Sequence, residues 1–213
     1  MSNRLSIAYL VLATLYLALF DYNASWLGAW VKILPIVLLA AGSLRLGSAR
    51  WRGGMTGALL FSALGDWLLA VNGITGNLFA AGLGSFLVAQ LLYAQLFWRE
   101  RSRERRRLWY AAAYLPVALG LAWITLPAAD ELAPAVAAYM VAITAMVTGA
   151  AVADRPLLLF AGALMFACSD SLIALNKFVE PIPRAGLLIM LSYYLAQLLI
   201  WRGAHPRGAE QAT

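Results

Sequence analysis

Eight long apolar runs constrain this chain more than any other feature. They lie at roughly residues 5–20, 26–44, 54–72, 77–98, 108–126, 132–152, 157–175 and 185–201, each long enough, or nearly so, to cross about 30 Å of hydrocarbon. Lipid offers no partner for a backbone amide, so a spanning segment must be a helix or part of a closed barrel. These runs are too long and too continuously apolar for the alternating strands of a barrel. The expected fold is all-α: a polytopic membrane helix bundle of eight transmembrane helices, forming a single integral membrane domain over residues 1–213. Composition agrees, with 63% hydrophobic and 12% charged residues and a mean hydropathy of +0.76, well outside the range of a soluble domain.

Charge placement then sets an orientation, because short cytoplasmic loops collect Lys and Arg. With the N-terminus inside, the inner segments carry Arg4, Arg45, Arg50, Arg52, the cluster from Arg99 to Arg107, Arg155, Arg202 and Arg207. The outer loops keep only Lys177 and Arg184 among cations, alongside the acids Asp21, Asp130, Glu131 and Glu180. Both termini are expected to be cytoplasmic. The short loops and the absence of organelle signals suggest a bacterial inner membrane. The first run has no evident small-residue cleavage site and reads as a retained helix rather than a removed signal. The net charge of +6 comes largely from the Arg-rich connection after Trp98. Topology accounts for it, and anionic lipid headgroups rather than nucleic acid are its expected partners.

Cysteine and histidine are too scarce for several chemistries. Cys168 is the only cysteine and His205 the only histidine, so an internal disulfide, a Ser–His–Asp or Cys–His arrangement and a His-rich metal site are all excluded. Cys168 reads as a small core residue, and His205 lies in the polar tail. No cofactor and no metal is expected.

Two aspartates stand inside the apolar runs, in the near-matching stretches Gly65-Asp66-Trp67-Leu68-Leu69-Ala70-Val71-Asn72 and Ser169-Asp170-Ser171-Leu172-Ile173-Ala174-Leu175-Asn176. An Asp at a helix centre costs about 2.5–3.5 kcal/mol on insertion scales, and such residues usually face a bundle interior or a wet cavity. The match implies an internal duplication with an offset of about 104 residues, supported by Phe97-Trp98-Arg99 and Ile200-Trp201-Arg202 at the ends of the fourth and eighth runs. The repeat units would span about 1–100 and 105–203. Four helices per unit is an even number, so the units are expected to be parallel, related by an axis near the membrane normal.

Counting inward from the outer span ends at 1.5 Å per residue puts Asp66, Asp170 and Lys32 about 8–10 Å deep. Tyr139 and Tyr193 or Tyr194 come slightly deeper, and Gln90 and Tyr93 approach the midplane. Spacing adds faces to depths: Ser62 and Asp66, Gln90 and Tyr93, and Tyr193 and Gln197 are three or four apart, while Ser169 and Asn176 are seven apart. A polar cavity in the outer half is expected, with interhelical hydrogen bonding as an even competitor for any single pair. Lys32 sits one turn before the helix-bending Pro35. It could snorkel to the interface, pair with a carboxylate or hold a substrate phosphate. Trp26, Trp30 and Trp67 read as interfacial anchors.

Lys32-Ile33-Leu34-Pro35, Gly65-Asp66-Trp67-Leu68-Leu69, Gly84-Ser85-Phe86 with Tyr93, Tyr139, Ser169-Asp170-Ser171-Leu172 and Tyr194-Leu195-Ala196-Gln197 together resemble the pattern of YhhN-type lysoplasmalogenases. The likeness runs over nearly the whole chain. It implies hydrolysis of the vinyl ether of an alkenyl lysophospholipid to a fatty aldehyde and a glycerophospho-alcohol. Asp66 and Asp170 would be catalytic, and Lys32, Gln90, Tyr93, Tyr139, Ser169, Asn176, Tyr193, Tyr194 and Gln197 would bind substrate. One departure is visible: the place three residues before Tyr93, often histidine in the family, is Gln90. Glutamine orients water or a headgroup but cannot shuttle a proton near neutral pH.

The chemistry of the residues is compatible with that activity. Acid hydrolysis of a vinyl ether starts with proton transfer to the carbon distal to oxygen. One carboxyl must therefore begin protonated while another stays ionised to stabilise the cation and activate water. Two aspartates in unequal surroundings suffice. The competing class is a proton- or ion-coupled transporter of small solutes, since duplicated bundles with intramembrane aspartates serve that role too. Against it, a chain this compact leaves little material for alternating access.

Overall fold

The computed structural model describes residues 2–20 and 25–205; Asp21 and Arg207, both used in the orientation argument, lie outside the described residues. Among the described residues eight α-helices follow one another: α1 Ser2–Ala18, α2 Trp26–Ser43, α3 Ala49–Thr75, α4 Phe79–Arg99, α5 Arg106–Ala128, α6 Ala133–Val152, α7 Leu157–Ala174 and α8 Ala185–Gly203. A 3₁₀ turn over Asp130–Leu132 precedes α6, and a π-helical turn over Leu175–Val179 continues α7. Seven helices are long and apolar enough to cross a membrane, and α1, at 17 residues, is the short one. The chain is an all-helical integral membrane protein.

Helix ends follow local chemistry rather than hydropathy. Ser25 caps α2, its hydroxyl accepting from the Gly28 N–H at 3.0 Å. The third helix starts at Ala49, before its apolar run, and continues until Gly76, whose φ of 78° is the left-handed geometry that ends a helix cheaply only at glycine. Pro35 lies inside α2, and Pro116 and Pro127 lie inside α5.

The chain divides into two compact units, one ending at Tyr93 within α4 and the other beginning at Ala94. In the first, α2 packs along α3, and α1 along α2. In the second, α7 and α8 form the closest pair. A Cβ at Gly162 would come within 2.7 Å of the Ile200 amide nitrogen, and one at Gly203 within 2.5 Å of the Leu159 amide nitrogen. Backbones this close are what small residues permit in a lipid-embedded bundle, where van der Waals packing replaces the hydrophobic drive.

The Arg-rich connection is partly a structural clamp. Arg107, 2% exposed, donates to the carbonyls of Ala153 and of Arg155, the latter at 2.9 Å. Arg155 in turn donates to the Ala204 carbonyl at 3.0 Å and pairs with Glu100. The Ser102 N–H reaches Val152 O at 2.8 Å, so the α4–α5 connection is stitched to the α6–α7 turn. Glu104 is engaged by Arg106 at 2.9 Å and Arg107 at 3.3 Å. Those two guanidiniums, Arg106 foremost, hold its carboxyl below the usual carboxylate range.

Candidate active site

In the first unit a buried ion pair forms between adjacent helices. The Lys32 ammonium on α2 lies 3.3 Å from Asp66 Oδ1 on α3 and also donates to the Asp66 backbone carbonyl at 3.3 Å. The two side chains are 10% and 4% exposed. Of the three roles open to Lys32, pairing is the one adopted. Its reach to a carbonyl as well as a carboxylate fixes it to one turn of α3, as a desolvated charge requires if its remaining protons are to be satisfied. Ser62, four residues before Asp66, is fully buried on the same helix, as are Gln90 and Tyr93 on α4. Two tyrosines of α1, Tyr9 and Tyr16, are buried and within electrostatic reach of Asp66.

The second unit repeats the theme with a different partner. Asp170 on α7 accepts a hydrogen bond from the Tyr139 hydroxyl on α6 through Oδ2. Tyr114 on α5 also lies within electrostatic reach of Asp170. In each unit, then, the aspartate is met from the helix just before it: by a cation in one case, by a phenol in the other.

Other expected site residues divide. Tyr193, Tyr194 and Gln197 on α8 are buried, with Tyr193 edge-on to Phe166 of α7 at 5.4 Å between ring centroids. Ser169 is spent on helix packing, its hydroxyl donating to the Ile189 carbonyl at 3.0 Å. Asn176 braces a loop: its side-chain oxygen accepts from the Ile182 N–H at 2.8 Å. Asn72, its counterpart in the matching stretch, does the same for the Leu78 N–H at 2.9 Å. Trp67 meets Trp26 and Trp30 at centroid distances of 6.3 and 5.4 Å. With Trp26 and Trp30 more than half exposed, the cluster suits a boundary position. Cys168 is corrected: it is exposed, not a core residue. Nothing in the sequence singles out Tyr9, Tyr16 and Tyr114 beyond the seven-residue spacing that puts Tyr9 and Tyr16 on one face.

These features define a class: a polytopic membrane protein that keeps carboxylates inside its spans, each engaged by a neighbouring helix. The model of the YhhN family matches residues 27–204, and the chain belongs to that family. Among curated proteins it is similar to "Lysoplasmalogenase TMEM86B" of Sus scrofa, at 36% identity over 183 residues, which cover 84% of this chain and 76% of that protein. It is similar also to "Lysoplasmalogenase" of Mycobacterium tuberculosis, at 37% identity over 81% of this chain and 68% of the relative. The human "Lysoplasmalogenase TMEM86B" shares 36% identity over 83% and 74% respectively. No solved structure matches the chain significantly.

Proposed function

We propose that this protein is a lysoplasmalogenase-type hydrolase, cleaving the vinyl ether of an alkenyl lysophospholipid with Asp66 and Asp170 as its acid–base residues. The observation that carries the reading is similarity to relatives named lysoplasmalogenase over four-fifths of the chain. The unequal partners of the two aspartates support the chemistry. Asp66 has the Lys32 ammonium beside it, which suits a carboxylate that remains charged. Asp170 accepts from a neutral phenol, Tyr139, which holds a carboxylate less firmly than an ammonium does and so suits the carboxyl that takes up a proton and gives it up.

The reaction balances with water as the only co-substrate. The carboxylic proton moves to the alkenyl carbon distal to oxygen, leaving an oxocarbenium ion stabilised by negative charge. Water adds to that cation and its proton passes to a carboxylate. The resulting hemiacetal breaks its carbon–oxygen bond to give the aldehyde and the glycerophospho-alcohol. Gln90, which cannot relay a proton, is left to orient water or headgroup. The test is aldehyde release by purified protein in detergent across several alkenyl lysolipids. Catalysis proceeds without a sealed compartment, whereas a transporter would release no aldehyde from any of them.

A further inference from the structure

A groove runs along the second unit between α5 and α7. Its walls are two stripes of the same helical period: Tyr110 to Leu121 on α5 and Phe160 to Ser171 on α7, each about 16 Å from first residue to last. The volume is about 540 Å³, within the range of ligand pockets. Carbon lines almost all of it. At one end Tyr110 and Phe160 stack, 6.0 Å apart and 19° from parallel. At the other, α5 leans on the π-helical turn that follows α7, a distortion often found at functional sites. The groove is thus bounded at both ends and open along its flank, where Ala113 and Cys168 are exposed.

Besides the Tyr110 phenol at the stacked end and the Cys168 thiol on the flank, its polar groups lie towards one carboxylate. Ser171 lies beside Asp170 in sequence, and the Tyr114 hydroxyl is within electrostatic reach of the same carboxylate. An apolar lane that reaches a hydroxyl beside an intramembrane acid matches one kind of molecule: a single hydrocarbon chain whose reactive polar end must come to Asp170. We infer that the α5–α7 groove binds the hydrocarbon chain of the lysolipid substrate, with the vinyl ether end near Ser171 and the chain running towards the Tyr110–Phe160 pair. The inference rests on the function proposed above. A two-chain phospholipid of the bilayer fits poorly, because its head must stay at the surface while Ser171 stands eight residues before Val179, where the helical run of α7 and its π-helical turn ends. The open flank admits the chain sideways from surrounding lipid.

The probe is a non-hydrolysable lysophosphoethanolamine bearing an alkyl ether chain with a terminal diazirine, photolysed with the protein in phospholipid vesicles. Crosslinks are expected on the 110–121 and 157–171 segments, competed by long-chain alkenyl lysophosphoethanolamine but not by added diacyl phospholipid. Crosslinks confined to other helices, or equal competition by diacyl lipid, would overturn the assignment. A second arm uses Ala113→Trp, which fills the groove from its exposed side. It should lower kcat/KM for a long-chain alkenyl lysolipid about tenfold, the loss of roughly two buried methylenes, while a short-chain substrate stays within about twofold. Equal losses on both substrates, or none, contradict the groove. Photolabelling reads the groove without turnover, so wild-type protein that crosslinks as expected yet releases no aldehyde would sink the hydrolase reading alone. Aldehyde release with misplaced crosslinks would sink only the groove.

Discussion

Lys32 and Asp66 illustrate how a charge is tolerated inside a span when an opposite one adjoins it. Taking one member of a buried pair away costs about 3–5 kcal/mol because the other charge is left uncompensated, whereas replacing both with uncharged groups is often nearly neutral. Lys32→Met should therefore lower thermal stability more than Lys32→Met combined with Asp66→Asn, a sign that a detergent-solubilised melting series measures directly. Additive losses in the double variant would mean that the 3.3 Å pair contributes little. Activity should respond differently. Asp66→Asn and Asp170→Asn keep the size of the side chain but supply neither a proton nor a charge, so each is expected to abolish turnover while the protein stays folded. Tyr139→Phe removes the donor to Asp170 and should lower kcat by about tenfold or more with an altered pH profile. An unchanged profile would make the tyrosine a packing residue. The burial of Asp66 and Lys32 and the engagement of Asp170 by Tyr139 are legible in the sequence to the extent that a polar group inside an apolar run stands out. Asn176 stands out equally, but spacing does not reveal that a backbone N–H six residues on takes its side-chain oxygen as acceptor.

Among the elements, the eight helices could be read from the sequence because hydrocarbon thickness dictates their length. Their faces could not. In water an apolar stripe marks the core side of a helix, but in lipid both sides are apolar, and α7 reads alike all round. That is why Cys168 was assigned to the core although it is exposed on a groove wall. The extension of α3 to Gly76 and the π-helical turn after α7 also escaped. The arginine cluster shows the same ambiguity, since a loop cation and a loop clamp are the same residue type. Arg107→Ala removes two hydrogen bonds from a buried guanidinium to carbonyls and should destabilise the protein by about 1.5–3 kcal/mol or more. Arg103→Ala, at an exposed position in the same cluster, should stay within about 0.5 kcal/mol. Similar melting shifts for both would return the cluster to a purely topological role.

At the scale of the whole molecule, the alternating arginines still argue that both termini are cytoplasmic, with Arg99 and Asp130 on opposite faces of the membrane. Reporter fusions after these two residues should read opposite sides, and the same side for both would overturn the topology. The parallel between the two aspartate stretches now extends to geometry within each unit, a partner from the preceding helix and an asparagine holding the following loop. What differs is the partner, cation against phenol, and that asymmetry suits a reaction needing both a proton donor and a lasting negative charge.

The central claim is that an aspartic acid in this chain protonates an alkenyl carbon. Turnover of an alkenyl lysolipid in heavy water tests it most directly, with the aldehyde trapped quickly to prevent exchange through its enol and weighed by mass spectrometry. One solvent deuteron is expected on the carbon adjacent to the carbonyl, formed by the wild type and not by Asp66→Asn or Asp170→Asn. An undeuterated aldehyde, or deuterated aldehyde from either variant at the wild-type rate, would contradict it.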